Sequence, residues 1–148
     1  EDVAPLQQQF LDNWIEPLLL PAAFDLIAHR RQAGGKLMII TATNTVVTRP
    51  IAQRLGIDIL LGCEAEVVNG HYTGHIVGTP TFKEGKVDRF KHWLDANGAS
   101  DSGTWFYSDS HKDLPLLNAV DFPVAVDPDD RLRSHAERMS WPIRSLRP

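Results

Sequence analysis

The chain has 148 residues, of which 43% are hydrophobic, and its formal net charge of −4 comes without a basic stripe of the kind that binds nucleic acid. This length suits one domain with a hydrophobic core. The apolar stretches are too short to span a membrane, and the first residues lack the pattern of a signal peptide. Cys63 is the only cysteine, which excludes an intrachain disulfide and a cysteine-rich zinc site. We therefore expect a cytoplasmic protein that binds neither nucleic acid nor membrane.

Hydrophobic periodicity and turn residues predict helices and strands along the whole chain. In chain order they are helix 3–20, helix 22–32, strand 36–40, helix 46–55, strand 57–61, strand 64–68, strand 71–77, helix 84–96, strand 103–107, helix 114–120, strand 123–126, helix 129–139 and strand 142–146. Asn69-Gly70 predicts a hairpin with a type I′ turn. Residues 43–45 are expected to form a loop in which Asn44 or Thr45 caps the next helix, and Pro50 to mark its first turn or a kink. The alternation of strands and helices predicts an α/β fold with a largely parallel sheet.

Polar side chains follow two of the apolar runs that read as buried strands. Thr41 follows the run at 37–40, and Asp109 comes shortly after the run at 105–107. Ligands bind at the carboxyl ends of such strands in open α/β sheets. A hydroxyl, an ammonium from Lys86 and carboxylates from Asp109 and Asp113 would suit a phosphate held beside Mg²⁺. Each residue also has an ordinary structural explanation, with Lys86 as an exposed lysine, Asp109 as a loop residue and Asp113 as a helix cap.

Other candidate groups carry weaker signals. His111, between the two aspartates, either faces the site or is exposed, and we favour exposure. The segment 127–129 is interpreted as a turn followed by a helix cap. The sequence has neither the histidine pairs of a zinc hydrolase nor the G-x-S-x-G context of a serine hydrolase, so neither class is favoured.

The segments IITATN, FKEGK and YSDSHKDLPLL resemble motifs two, three and four of the haloacid dehalogenase superfamily, in the branch related to phosphoserine phosphatase that is often called subfamily IB. The resemblance extends from about Pro21 to about Leu146. It implies a Rossmann-like core over residues 21–148, with residues 1–20 as the remnant of a helical cap. In motif three we prefer Lys86 to its rival Lys83, because the family places the lysine after a glycine.

The resemblance also implies a role for each motif residue. Asp109 would bind Mg²⁺ directly, and Asp113 would support the metal through water or by positioning its neighbours. Phosphate would be bound by the Thr41 hydroxyl, by the amides that follow it, beginning with Ala42, and by Asn44 and Lys86. Lys86 and Asp113 would also take part in catalysis, since the lysine offsets negative charge on the attacking carboxylate and the phosphoryl group.

The first family motif, D-x-D-x-T or D-x-D-x-S, does not occur in the sequence. Its first aspartate is the nucleophile, and its second is the acid and base. We therefore expect a carboxyl-terminal portion that lacks the central nucleophile strand, between the strands that end at Thr41 and Asp109. An upstream segment or a second copy of the chain would complete the sheet.

Together these observations predict a Mg²⁺-dependent phosphatase that acts on a small phosphorylated metabolite through an aspartyl-phosphate, with the 148-residue chain inactive alone. Two alternatives stay open. One is a non-catalytic module that binds phosphate or regulates a partner. The other is the phosphatase-like domain of a phosphotransferase or of an acyltransferase fusion.

Overall fold

Helices and strands alternate along residues 3–148, the part of the chain that this computed structural model describes. The chain divides into two units, of which the first ends at Pro80 and the second comprises Thr81–Pro148. The first unit contains α1 (Ala4–Phe10), α2 (Pro21–Gln32), β1 (Met38–Asn44), α3 (Thr45–Arg54), β2 (Ile59–Val68) and β3 (His71–Val77). The second unit contains α4 (Glu84–Asn97), β4 (Trp105–Ser108), α5 (Leu114–Leu117), β5 (Phe122–Val126), α6 (Asp130–Met139) and β6 (Ile143–Arg144). The predicted α/β class is confirmed.

The strands form two three-stranded sheets, one in each unit. In the first sheet β1 pairs in parallel with β2, and β2 pairs antiparallel with β3. In the second sheet β4, β5 and β6 pair in parallel in that order. Parallel pairing therefore predominates, as predicted. β1 and β4, the strands expected to flank the nucleophile strand, each lie at an edge of their own sheet.

Two boundaries in the first sheet differ from the prediction because polar residues and a glycine do not end their strands. β1 continues to Asn44, which pairs with Cys63 after a register shift, so the loop predicted at 43–45 is wrong. β2 is continuous where two strands were predicted, at 57–61 and 64–68. Gly62 lies within β2, where a Cβ atom would stand 2.8 Å from Thr45 Cγ2 and 2.9 Å from the Thr43 carbonyl oxygen. The glycine permits a close approach of chain segments instead of breaking the strand.

The hairpin between β2 and β3 follows the prediction. Asn69 and Gly70 both have positive φ, at 51° and 78°, as a type I′ turn requires.

The predicted amino-terminal helix is present in three pieces. After α1 the chain forms a π-helical turn at Leu11–Ile15 and a 3₁₀ turn at Glu16–Leu18. Of the apolar side chains in these pieces only Leu11 is buried, whereas Trp14 and Leu18 are 69% and 71% exposed. Within residues 3–148, no helix combines the length and the apolar character needed to cross a membrane. The assignment of residues 1–20 to a cap stays a prediction.

Helix α3 contains a proline whose missing donor is compensated by another helix. Asn44 caps α3 by accepting a hydrogen bond from the Val46 amide at 2.8 Å, which confirms one of the two predicted caps. Pro50 lies inside α3, so its predicted place in the first turn is wrong, and a kink at this proline stays a prediction. It has no N–H for the Val46 carbonyl four residues earlier. Gln7 Nε2 in α1 donates to that carbonyl at 2.5 Å.

The second unit is built around a small core at the centre of its sheet. Leu117, Ala125, Leu132 and Ala136 are fully buried, which joins α5, β5 and α6. Helix α5 ends at Leu117, earlier than predicted, and the Leu114 carbonyl accepts hydrogen bonds from both the amide and the side chain of Asn118, at 2.9 and 2.8 Å. The core holds α5 in place, and α5 is the helix into which the turn after β4 leads.

Removing the Gln7 side-chain amide should destabilise the protein only while Pro50 is present. Gln7→Ala should lower the free energy of unfolding by about 1 kcal/mol, because the Val46 carbonyl loses its donor. In a Pro50→Ala background the restored amide at position 50 can bond this carbonyl, so the same change should cost almost nothing. Urea denaturation followed by circular dichroism measures both losses. Equal losses in the two backgrounds would contradict the coupling.

Candidate functional site

The turn between β4 and α5 carries both aspartates of the candidate site. β4 ends at Ser108, and a 3₁₀ turn at His111–Asp113 leads into α5. Ser110 begins this 3₁₀ turn, and its side chain accepts a hydrogen bond from the Lys112 amide. Asp109 is therefore at the carboxyl end of a parallel strand, as predicted.

Lys86 and Asp113 form a nearly buried ion pair. Lys86 Nζ lies 2.6 Å from Asp113 Oδ1, and the two side chains are only 9% and 13% exposed. Lys86 is in the first turn of α4, so the pair joins that helix to the turn after β4. The alternative that Lys86 is an exposed lysine is wrong. Lys83, the rival in the sequence, is exposed, and its ammonium lies 5.4 Å from the centre of the Phe82 ring.

The second carboxylate oxygen of Asp113 is also engaged. Ser108 Oγ donates to Asp113 Oδ2 at 2.6 Å, and Ser108 is itself buried. Asp113 makes no side-chain cap hydrogen bond for α5, so its interpretation as a helix cap is wrong. With both oxygens occupied, Asp113 is placed to position Lys86 and Ser108. Ser108 was not predicted as a site residue, because its only signal in the sequence is a hydroxyl just before Asp109.

Asp109 has the open carboxylate of this turn. Its side chain is exposed and has no hydrogen-bond or ion-pair partner among residues 3–148. Its backbone carbonyl accepts a hydrogen bond from the Asp129 amide at 2.9 Å. The carboxylate is thus available to a ligand while the backbone beneath it is held.

The described residues offer Mg²⁺ only part of a site. Residues 3–148 contain no group of three or more histidine, cysteine, aspartate or glutamate side chains that could hold a metal ion. Mg²⁺ in phosphate-processing proteins is held by one or two carboxylates together with water and phosphate oxygens. Asp109 fits one such carboxylate, and the remaining ligands would come from outside the described residues.

His111 is engaged with Asp129 at the start of α6. Asp129 Oδ2 accepts from the His111 amide at 2.8 Å and lies 2.9 Å from His111 Nδ1. Asp129 Oδ1 accepts from the Leu132 amide at 2.8 Å, which confirms Asp129 as a helix cap. His111 is only partly exposed and has this defined partner. Our preference for a simply exposed histidine is wrong.

These contacts lower the pKa of Asp129. Partial burial alone would raise its pKa, but hydrogen bonds from the His111 and Leu132 amides, together with the His111 ring, outweigh that effect and lower the pKa from 3.8 to about 2. The charged carboxylate is therefore the form that the folded protein stabilises.

The predicted phosphate-binding residues of the first unit lie at the end of β1. Thr41 Oγ accepts a hydrogen bond from the Thr43 amide at 3.1 Å, and Ala42 is exposed. The Asn44 side-chain oxygen is used to cap α3. Of the predicted site residues, the structure brings Lys86 and Asp113 into contact. The placement of Thr41, Ala42 and Asn44 beside them stays a prediction.

Removing the buried ammonium should strongly destabilise the protein. Lys86→Met leaves the Asp113 carboxylate without its counter-ion, which should lower the free energy of unfolding by about 3–5 kcal/mol. Lys91→Met, at an exposed position of the same helix, should change it by no more than about 0.5 kcal/mol. Chemical denaturation of both variants makes the comparison, and similar small losses would show that the pair contributes little.

The Asp129 carboxylate should also make stability depend on pH. Because its pKa is lowered from 3.8 to about 2, its contribution is complete above about pH 5 and is lost as the pH falls through this range. The stability difference between the unchanged protein and Asp129→Asn should therefore shrink on acidification. Thermal unfolding at a series of pH values, with Asp130→Asn as the matched control, tests this. A difference that stays constant down to about pH 2 would contradict the pKa.

The chain is similar to proteins of a known family. The haloacid dehalogenase-like hydrolase family model matches residues 1–118. The chain is 36% identical to a protein from Neisseria meningitidis serogroup C named histidinol-phosphatase, over 99% of the chain and 68% of that protein. It is 34% identical to phosphoserine phosphatase SerB1 of Mycobacterium tuberculosis, over 99% of the chain but only 47% of that protein.

A solved structure from Bordetella pertussis Tohama I, described as a protein with unknown function, has the same fold. It superimposes with a TM-score of 0.95 at 38% identity, over 98% of this chain and 66% of the other. The chain thus spans between about half and two thirds of the length of these three proteins. From the extent of the family match and of the Neisseria match, the chain belongs to the haloacid dehalogenase-like hydrolase family.

Proposed function

We propose that the chain forms part of a Mg²⁺-dependent phosphatase that hydrolyses a small phosphorylated metabolite. One observation carries the proposal. The open carboxylate of Asp109 stands on a turn whose neighbours, Lys86, Ser108 and Asp113, form a buried charged network. Removing two charges from water costs stability, so a buried ion pair beside an exposed acid supports the assignment of a functional site.

Asp109 would hold the metal in this proposal. Mg²⁺, when bound, neutralises phosphate charge and orients the phosphoryl group. Asp113 would keep the Lys86 ammonium at a fixed position, since their 2.6 Å contact limits where the ammonium can move. Lys86 would then offset negative charge on the phosphoryl group in transfer.

The end of β1 would supply the phosphate donors. The amides after Thr41, those of Ala42 and Thr43, belong to exposed residues, and the Thr41 hydroxyl can donate its own proton while it accepts from Thr43. The start of α3 would add a favourable dipole for an anion. Asn44 would contribute through its position at this helix start, since its side-chain oxygen is already a cap.

The nucleophile would come from outside the 148 residues. The family mechanism needs an aspartate that accepts the phosphoryl group, and D-x-D-x-T or D-x-D-x-S is not in the sequence. β1 and β4 are sheet edges, and edges offer unpaired backbone groups to a further strand. We propose that a strand with this motif, from an upstream segment or a second copy, pairs there. The chain alone would then be inactive.

The names of two relatives narrow the substrate. One is named histidinol-phosphatase and the other phosphoserine phosphatase. Both names denote phosphomonoesters of small amino compounds, and we propose a substrate of this class. The single cysteine is compatible with the reducing cytoplasm that we predicted for the protein.

A non-catalytic phosphate-binding module is the second candidate. The observation that favours it is the sequence itself, which has a lysine and a threonine for binding but lacks the nucleophile motif. Binding needs only donors and positive charge, whereas turnover needs a covalent acceptor.

Assays of two lengths of the protein distinguish these candidates. The 148-residue chain should not hydrolyse para-nitrophenyl phosphate, and a longer chain that includes the first family motif should do so with Mg²⁺. In the longer chain, Asp109→Asn should raise the Mg²⁺ concentration for half-maximal rate at least about tenfold, because an anionic ligand is lost. Asp95→Asn, an exposed acid on α4, is the matched control and should leave it unchanged.

Three results would count against the proposal. Mg²⁺-dependent turnover by the 148-residue chain alone would mean that the nucleophile is misplaced. An unaltered Mg²⁺ requirement in Asp109→Asn would mean that Asp109 is not a metal ligand. No turnover by the longer chain, with retained phosphate binding, would favour the non-catalytic module.

A further inference from the structure

The turn that carries Asp109 is fastened to a residue much later in the chain. Asp129, the residue just before α6, donates its amide to the Asp109 carbonyl at 2.9 Å. Its carboxylate accepts from the His111 amide at 2.8 Å. Asp129 therefore binds the backbone of this turn on both sides of Ser110.

The same carboxylate fixes the ring of His111. Asp129 Oδ2 lies 2.9 Å from His111 Nδ1, and an ionised carboxylate only accepts, so Nδ1 carries a proton. Arg131 Nη1 lies 3.3 Å from the other ring nitrogen, Nε2. Both ring nitrogens contact α6 or its cap. The His111 ring therefore stabilises the turn and is not directed at a substrate.

Capping by itself does not require an aspartate at position 129. Serine, threonine and asparagine cap helices about as well as aspartate. The Oδ1 atom alone performs the cap, by accepting from the Leu132 amide at 2.8 Å. The Oδ2 atom has two donors from His111 and none from α6. One of the two carboxylate oxygens of Asp129 therefore binds only the turn.

The effect of these bonds falls on Asp109. Asp129 holds the carbonyl of the peptide between Asp109 and Ser110 and the amide of the next peptide, between Ser110 and His111, so neither peptide can rotate without breaking a hydrogen bond. The Asp109 side chain itself has no partner among residues 3–148, so the backbone is the part of this residue that Asp129 holds in place. A ligand that binds Asp109 therefore binds a carboxylate whose backbone is already ordered.

We propose that Asp129 is a positioning residue for Asp109, acting through the Asp109 carbonyl and through His111. The inference rests on the proposed function, in which Asp109 holds Mg²⁺. It adds that affinity for the metal depends on a carboxylate in another element, which never touches metal or substrate. Outer groups that orient a ligand in this way commonly change metal affinity by about 10- to 100-fold.

The test uses variants that separate capping from positioning. Asp129→Ser keeps an oxygen for the Leu132 amide but has no second oxygen for His111. His111→Ala keeps the backbone bond to Asp129 and loses the ring, whereas His111→Asn restores a donor near the position of Nδ1. Asp130→Asn makes a charge change at the adjacent, exposed position of the same helix.

In the longer chain, Asp129→Ser should raise the Mg²⁺ concentration for half-maximal rate by about 10- to 100-fold, with KM for substrate at saturating Mg²⁺ within about twofold of the unchanged enzyme. His111→Ala should raise the Mg²⁺ requirement and His111→Asn should largely restore it. In the 148-residue chain, amide hydrogen exchange at His111 should become at least about tenfold faster in Asp129→Ser and stay unchanged in Asp130→Asn.

Two results would overturn the inference. One is a lowered melting temperature of Asp129→Ser with an unchanged Mg²⁺ requirement, which is what a helix cap alone would give. The other is unchanged exchange at the His111 amide, which would mean that the carboxylate does not hold the turn. If Asp129→Ser does not fold, His111→Ala and His111→Asn decide between the two roles.

Failure of the proposed function is recognised separately. It would appear as absent or Mg²⁺-independent turnover in the longer chain before any substitution. In that case, Mg²⁺ titration of the 148-residue chain by nuclear magnetic resonance replaces the kinetic readout. Shifts at Asp109 that need higher Mg²⁺ in Asp129→Ser support the positioning role, and shifts that are absent or equal in both overturn it.

Discussion

The second unit depends on the contact between the Lys86 ammonium and the Asp113 carboxylate. These groups come from different elements, α4 and the turn after β4, and both are almost removed from solvent. Taking two charges out of water costs several kcal/mol per ion in real proteins, and the attraction between them returns this only when the geometry is good. The Ser108 hydroxyl completes that geometry by occupying the other oxygen of Asp113. The position of the turn is therefore determined by charge satisfaction as much as by apolar packing.

The two sides of this turn are held by different chemistry. On one side Lys86, Ser108 and Asp113 form the buried network. On the other, the start of α6 supplies backbone and carboxylate contacts from Asp129. Between these supports only the carboxylate of Asp109 is left without a partner among the described residues. An exposed acid on an otherwise satisfied turn is a ligand group whose backbone does not have to be ordered when it binds.

The features that sequence predicted correctly are those that depend on local chemistry. Asn69-Gly70 gives the hairpin because both residues tolerate positive φ. Lys86 could be preferred to Lys83 by its place after a glycine in the family motif, and the structure buries Lys86 and exposes Lys83. The α/β class followed from the alternation of strands and helices, and α2, α3, α4 and α6 lie within one residue of their predicted bounds.

The features that sequence missed depend on contacts between distant segments. The engagement of Asp129 with His111 spans 18 residues and has no periodic signature. Ser108 differs from an ordinary serine only through the partner that folding brings to it. Local sequence patterns predict Asp129 correctly as a helix cap. They do not predict what its second oxygen binds, because that partner is distant in the sequence.

Gly62 shows how a residue can be constrained by a site that it never enters. A side chain at this position would press on the Thr43 carbonyl and on Thr45, and therefore on the end of β1 where the candidate phosphate-binding amides lie. In a saturation mutagenesis experiment scored by growth, position 62 would tolerate as little change as the residues that bind the ligand. From this result alone Gly62 would be mistaken for a residue that contacts the ligand. Its actual contribution is that it has no side chain to press on the end of β1.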